Sequence, residues 1–223
     1  LAILKAGRPY LGLHLANPVD RMRLILEDVG SNLLISSKKF SSLVNKINPA
    51  AQDIRVLFIE DVQLDSHVLN PGIYVAPEAP FSLVYTSGST GEPKAIVSSH
   101  LSHLYTTLYQ TNSLFFCSSD RISLLTSLSV AAGDPGMLGA LMNGGLLCLF
   151  DLKKHGPQKA LDWIQDENLT IYRSTPTILR SIFGQAQEGL TIPSLRIITL
   201  GGEPVTADDI SLYKAHTLKH CIL

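Results

Sequence analysis

Residues 83–94 read LVYTSGSTGEPK. Six consecutive positions, Thr86, Ser87, Gly88, Ser89, Thr90 and Gly91, carry a hydroxyl or no side chain, and Lys94 follows three residues later. Such residues pack poorly, yet they interrupt a chain that is 45% hydrophobic. Their chemistry suits an anion. Glycines let the backbone turn and bring N–H groups close, hydroxyls add donors without bulk, and a lysine neutralises charge. A phosphate cradle is one reading; an ordinary turn between two strands is the other, because the same residue types favour turns. The P-loop pattern G-x-x-x-x-G-K-[ST] does not fit, since Glu92 and Pro93 follow Gly91.

The flanking sequence must hold this segment in place. FSLVYT enters it as a strand and AIVSS leaves it as another. Upstream, PVDRMRLILEDVG (18–30) has Pro18 where a first helical turn tolerates it, apolar residues at helical spacing and a Gly30 stop. NLLIS reads as a strand, SLVNKI as a helix and IRVLFI as a buried strand. Residues 60–80 turn acidic and then rich in Pro and Gly, which predicts a loop. Downstream, a helix from His100 precedes alternating strands and helices: RISLLTSL, GMLGALMNG, GLLCLF, PQKALDWIQDEN, LTIYRS, PTILRSIFGQA, LRIITL and TADDISLYKAH. This alternation predicts an α/β architecture of mainly parallel sheets flanked by helices.

Composition narrows the function classes. With 223 residues the chain can bury a sizeable core, and 17% charged residues argue against disorder. A formal charge of −1 and the lack of a basic run give no support to nucleic acid or an anionic membrane surface as a partner. No uncharged apolar run reaches membrane-spanning length. Cys117, Cys148 and Cys221 are widely and irregularly spaced, which suits a reducing, cytoplasmic setting better than a disulfide framework. The first residues, LAILKAG, read as the last turns of a helix closed by Gly7, and LKHCIL stops within a strand-like run. Both ends therefore look cut, and residues 1–223 are expected to be part of a longer chain.

YTSGSTGEPKAIV closely resembles the signature phosphate loop of the adenylate-forming (AMP-binding) superfamily, which includes acyl-CoA ligases, luciferases and the adenylation domains of nonribosomal peptide synthetases. Ala95 replaces a glycine usual in that motif. The resemblance extends over nearly the whole chain and keeps the family's motif order. LAILKAGRPYLGLHLANPVDRMRLILEDVG resembles its early Leu-Lys-Ala-Gly segment, GALMNGGLLCLF its helix–strand turn behind the acid pocket, TIYRSTPTILRSI the strand and helix start that follow, and LRIITLGGEPV its Gly-Gly-Glu segment. The style is closest to peptide-synthetase adenylation domains. The whole of 1–223 then corresponds to an incomplete adenylation domain, within the family's large N-terminal domain.

By that resemblance, Thr86, Ser87, Gly88, Ser89, Thr90 and Gly91 would hold the β- and γ-phosphates of ATP, with Lys94 assisting as pyrophosphate forms. Gly201, Gly202 and Glu203 would lie beside the adenine. The implied reaction joins a carboxylate to the α-phosphate with Mg²⁺ present, then passes the acyl group to a pantetheine thiol of a carrier protein or CoA. Condensation-type and carrier domains of an assembly line making a secondary metabolite would be its partners. Ala131, Ala132, Arg173, Ile198 and Leu200 would line the acid pocket. Domains for α-amino acids usually carry an Asp where Ala131 stands, and a buried ammonium without that partner is costly. An acid lacking an α-amino group is thus favoured, with Asp134 the alternative partner if the alignment shifts by three residues. The family's Tyr-Gly-x-Thr-Glu motif, ribose-binding Asp and C-terminal catalytic Lys are not within this sequence, so residues 1–223 alone are expected to be inactive.

Other constellations carry less. His216, His220 and Cys221 have partial metal-ligand spacing without a fourth ligand, and read as an exposed helix running into a strand; no metal ligands are assigned. His100 and His103 read as solvated or capping residues, Trp163 as the buried side of a helix, and Asp208 and Asp209 as first-turn carboxylates suited to a helix dipole. A free-standing acyl-CoA or aryl-CoA ligase and a catalytically silent module are the rival functions.

Overall fold

The structure is a computed structural model that describes residues 1–48, 54–63, 69–87, 93–125 and 134–223. Helix α1 (Ala2–Lys5) leads through Gly7 into the short strand β1 (Tyr10–Leu11). Helix α2 (Val19–Val29) starts after Pro18 and stops at Gly30, whose left-handed backbone ends it. Strand β2 (Leu33–Ser36), helix α3 (Ser41–Ile47) and strand β3 (Arg55–Phe58) complete a small α/β unit, with 3₁₀ turns at Lys38–Phe40 and Ile59–Asp61. Residues 69–76 carry no strand or helix. Strands β4 (Pro80–Ser87) and β5 (Pro93–Ser99) come next. Then follow α4 (His100–Leu114), β6 (Arg121–Leu124), α5 (Asp134–Met142), β7 (Leu146–Leu149), α6 (Leu152–Asp166), β8 (Ile171–Ser174), α7 (Pro176–Phe183), β9 (Ile197–Leu200) and α8 (Ala207–His216).

Local chemistry explains the helix starts. Ser99, Asp151 and Thr175 each accept a hydrogen bond from the backbone N–H three residues on, and Thr206 forms a full capping box with Asp209. Pro176 then occupies the first turn of α7, where its missing N–H costs nothing. Helix α6 is broken at Gly156 (φ 80°), ahead of Pro157. The continuous helix therefore begins where the sequence reading placed it.

The expected mainly parallel α/β architecture is present. Strands β7-β6-β8-β9 form one all-parallel sheet, β2 and β3 pair in parallel, and β1-β4-β5 form a third sheet whose β4–β5 pair is antiparallel. Strand β1 escaped the sequence reading because two residues show no alternation. β3 is less buried than the apolar run IRVLFI predicts, with Arg55 exposed and the rest half-buried.

Helix α5 joins the two larger sheets. Met137 and Leu138 pack on Phe81 of β4, while Ala140 joins Phe116, Ile122, Ile171 and Ile197 against the parallel sheet. The middle of this helix is buried, while Leu141 and Met142 at its end are exposed. Gly139 is required at the crossing, since a Cβ there would lie 2.4 Å from the Phe116 ring. On the other face of the parallel sheet, α6, α7 and α8 cover the largest cluster, which includes Tyr172, Phe183, Leu195 and Ile198.

One polar junction ties the sheet's N-terminal ends together. Asp120 is 2% exposed. It accepts from Arg196 Nε and Nη2 at 2.9 and 2.6 Å, from Thr170 Oγ1 at 2.7 Å and from Cys117 N at 2.9 Å. Arg196 also donates to the carbonyls of Leu114 and Phe115. Burial pushes the Asp120 carboxyl up, but these donors and the Arg196 charge outweigh it, and its pKa is lowered.

Asp120→Asn is expected to destabilise the fold by about 3 kcal/mol, because Arg196 is left without its anion. Urea unfolding measures this, and an unchanged midpoint contradicts it. A depressed carboxyl gives stability that is present above its unfolded value and lost as pH falls through its folded value, so the gap between wild type and Asp120→Asn should close below about pH 4.

Candidate functional site

Thr86 and Ser87, the first residues of the Gly/Ser/Thr segment, end β4 where it pairs with the start of β5 in an antiparallel hairpin. In this register Thr86 lies directly opposite Lys94, and Ser87 opposite Pro93. Cross-strand partners have Cβ atoms about 5 Å apart, so a hydroxyl and an ammonium flank the hairpin mouth on one face. Thr86 and Lys94 are both exposed. Gly88, Ser89, Thr90 and Gly91 lie outside the described residues.

The hairpin stem is fixed from below. Tyr85 donates its hydroxyl to the Asp28 carboxylate on α2. Burial, reinforced by that hydrogen bond and the Asp28 charge, pushes the phenol up to about 12. Phe81 is clasped by Tyr10, His100 and His103, with ring centroids 5.8, 5.0 and 4.2 Å away. The two histidines therefore pack on the stem instead of facing solvent, and His103 Nε2 lies 3.2 Å from Ser82 Oγ.

A second group of residues occupies the C-terminal edge of the parallel sheet, where ligands of open α/β sheets bind. Gly201 N donates to Ser174 O at 3.2 Å, joining the segments that leave β9 and β8. Gly202 has φ 83°, a conformation that favours glycine. Glu203 turns back onto the start of α7 and accepts from Thr177 N at 3.1 Å and Thr177 Oγ1 at 2.5 Å. The Thr177 hydroxyl above all, with its N–H and Thr175 assisting, holds the Glu203 carboxyl below the usual range. Gly201, Gly202 and Glu203 are all exposed. Behind them Arg180 pairs with the fully buried Asp209 at 2.7 Å, which docks α8 on α7.

The residues expected in the acid pocket are distributed as follows. Arg173 lies on the α4/α5 face of β8, where Nη1 donates to Gln110 Oε1 at 3.3 Å. Ile198 is fully buried in the cluster on the opposite face, and Leu200 packs against that same cluster. Arg173 pairs in register with Thr199, so Ile198 and Leu200 alternate to the other side. Asp134 begins α5, while Ala131 and Ala132 lie outside the described residues. Sequence reasoning missed Thr177, Asp28 and Gln110. The Ser-Thr-Pro-Thr start of α7 was a legible capping signal, but nothing local shows that Glu203 takes the N–H of Thr177.

Among the described residues no group of three or more His, Cys, Asp or Glu can hold a metal ion. His216, read from sequence as exposed, is buried beside Phe183, with Nδ1 2.8 Å from Leu190 O, and Cys221 is buried as well. No helix among the described residues is long and apolar enough to cross a membrane.

A family model described as AMP-binding enzyme matches residues 1–221. Tyrocidine synthase 1 of Brevibacillus parabrevis is 29% identical over 218 residues, covering 96% of this chain and 19% of its own length. Malformin synthetase mlfA of Aspergillus homomorphus is 25% identical over 221 residues, covering 99% of this chain and 4% of its own. The chain thus spans under a fifth of these curated relatives. The AMPPNP-bound crystal structure of the nonribosomal peptide synthetase FmoA3 superposes with a TM-score of 0.84 at 22% identity, over 99% of this chain and 23% of that one. FmoA3 has also been solved bound to alpha-methyl-L-serine-AMP, with a TM-score of 0.83 at 20% identity over 96% of this chain and 24% of that one. At that identity the likeness speaks to fold alone.

Removing the hydroxyl donor in Thr177→Val should return the Glu203 carboxyl toward 4.5. Carboxyl-carbon NMR titration reads this directly, and an unmoved titration would show that other groups hold the charge.

Proposed function

Because this chain belongs to the AMP-binding enzyme family, we propose that it supplies the triphosphate-binding and acid-binding part of an adenylate-forming ligase working within a nonribosomal peptide synthetase. The observation that carries this is the hairpin register, which sets the Thr86 hydroxyl against the Lys94 ammonium at the mouth of the glycine–hydroxyl loop. Such a mouth suits the β- and γ-phosphates, with Ser87, Gly88, Ser89, Thr90 and Gly91 proposed as further donors to them. Gly201 and Gly202 then present bare backbone to the adenine, and Glu203 is held by Thr177 so that this backbone keeps its shape.

In the proposed reaction a carboxylate oxygen attacks the α-phosphorus, the bond to the β-phosphate's bridging oxygen breaks, and pyrophosphate leaves. Negative charge grows on phosphoryl oxygens during this step. Donors already in place, Lys94 and Thr86 among them, stabilise it without reorganising. Mg²⁺ would neutralise phosphate charge when bound. A pantetheine thiol of a carrier protein or CoA would then attack the acyl carbon and release AMP. With Ala131 where an amino-acid-activating domain usually has Asp, the acid is proposed to lack an α-amino group, and residues 1–223 alone to bind nucleotide without turning it over.

Calorimetric titration of the 223-residue chain with AMPPNP should show binding weakened about tenfold or more in Lys94→Ala, the loss expected for one charge-assisted contact, and less in Thr86→Ser. Acid-dependent ATP–pyrophosphate exchange by the protein at full length should fall with it. Unaltered binding in Lys94→Ala would remove the basis of this assignment.

A further inference from the structure

Burial along β8 is inconsistent with its residue types at one position. Ile171 sits among Phe116, Ala140 and Ile197, in the apolar layer between the parallel sheet and α5. Two residues on, the same face of the strand presents Arg173 to the same layer. The contacts agree with that parity, since a Cβ on Gly136 of α5 would lie 3.3 Å from both Cδ and Nε of Arg173.

This arginine is treated differently from its neighbours. Arg121, Arg180 and Arg196 each reach a carboxylate, those of Glu167, Asp209 and Asp120. Among the described residues Arg173 has no carboxylate partner, and its one polar side-chain contact is the neutral Gln110 amide. A guanidinium has five N–H donors in a planar fork, so most of these remain unused. Burial alone lowers its pKa, with no anion pulling the other way. Arg173 is half-buried; a cation partly withdrawn from water without an anion is unfavourable, and apolar residues of similar size often replace buried ions at no loss of stability. Gly136 leaves room beside the fork.

We propose that Arg173 receives a second acidic group of the substrate, remote from the reacting carboxylate, so that the protein activates a diacid. This rests on the adenylate-forming assignment above. The reacting carboxylate belongs elsewhere: it must meet the α-phosphate near Lys94 and the segment Gly201–Glu203. Arg173 precedes Ser174 in β8, one residue short of the edge where Gly201 meets Ser174, and its side chain runs to Gln110 and Gly136. A planar carboxylate matches the arginine fork with two parallel hydrogen bonds.

The test pairs each diacid with its own monoamide: glutarate, 2-hydroxyglutarate, 3-carboxybenzoate and glutamate, titrated calorimetrically into the full-length protein carrying Arg173, Arg173→Leu or Arg173→Lys. At least one diacid should bind about thirtyfold or more tightly than its monoamide, the loss typical of unpairing a buried charge. Arg173→Leu should abolish that ratio and Arg173→Lys keep part of it, while the thermal midpoint of Arg173→Leu stays level or rises. No diacid preference in the wild type overturns the inference, as does a preference unaltered in Arg173→Leu. A lowered midpoint in Arg173→Leu with no change in selectivity would make Arg173 a structural tie to Gln110. ATP–pyrophosphate exchange run in parallel separates the two claims. Exchange that ignores Arg173 removes only this inference, whereas Arg173-dependent diacid binding without exchange keeps Arg173 as the diacid contact but removes the adenylation assignment and, with it, activation of the diacid.

Discussion

The buried pair of Asp120 and Arg196 is the contact on which the parallel sheet depends. These residues are 76 apart in sequence. Their junction gathers the end of α4, the start of β6, Thr170 before β8, and the start of β9. The four strands of this parallel sheet have four residues each, so alignment at one end brings them to an end together. Their C-terminal edge then carries Ser174–Thr175 and Gly201–Glu203 side by side, and it is the edge on which the candidate site is built. A buried charge pair is not an efficient source of stability. Here it joins segments 76 residues apart at one end of the sheet.

The site draws on two sheets, and α5 sets the relation between them. Phe81 under the β4–β5 hairpin and Phe116 over the parallel sheet both rest on this one helix. Gly139 lets Phe116 come within reach of the helix backbone. Backbone position therefore does much of the work that charged side chains do in other sites. The hairpin offers one ammonium, the β9 edge offers bare glycine backbone, and the carboxylate nearest them, Glu203, is committed to Thr177. Arg173 is the exception, a charge placed against an apolar layer with the neutral Gln110 amide and, among the described residues, no carboxylate.

The sequence conveyed local structure well and long-range pairing poorly. Residues Ser99, Thr175–Pro176 and Thr206–Asp209 announce helix starts because capping acts over three or four positions. The strands flanking the glycine–hydroxyl segment followed from their β-branched and aromatic residues. Strand β1 was invisible, since only its pairing with β4 makes it a strand. His216 read as exposed because its burial depends on Phe183, 33 positions away. The pocket assignments had the same weakness. Arg173, Ile198 and Leu200 come from one motif order, but which face each presents is decided by the pairing of Arg173 with Thr199.

The central claim is that one nucleotide spans the hairpin and the β9 edge. A crystal structure of the protein with AMPPNP tests it most directly. The account predicts Lys94 Nζ and Thr86 Oγ1 within hydrogen-bonding distance of the β- and γ-phosphates, with the adenine against Gly201 and Gly202. Phosphates bound away from the hairpin, or an adenine that leaves the Gly201–Glu203 segment untouched, would contradict it.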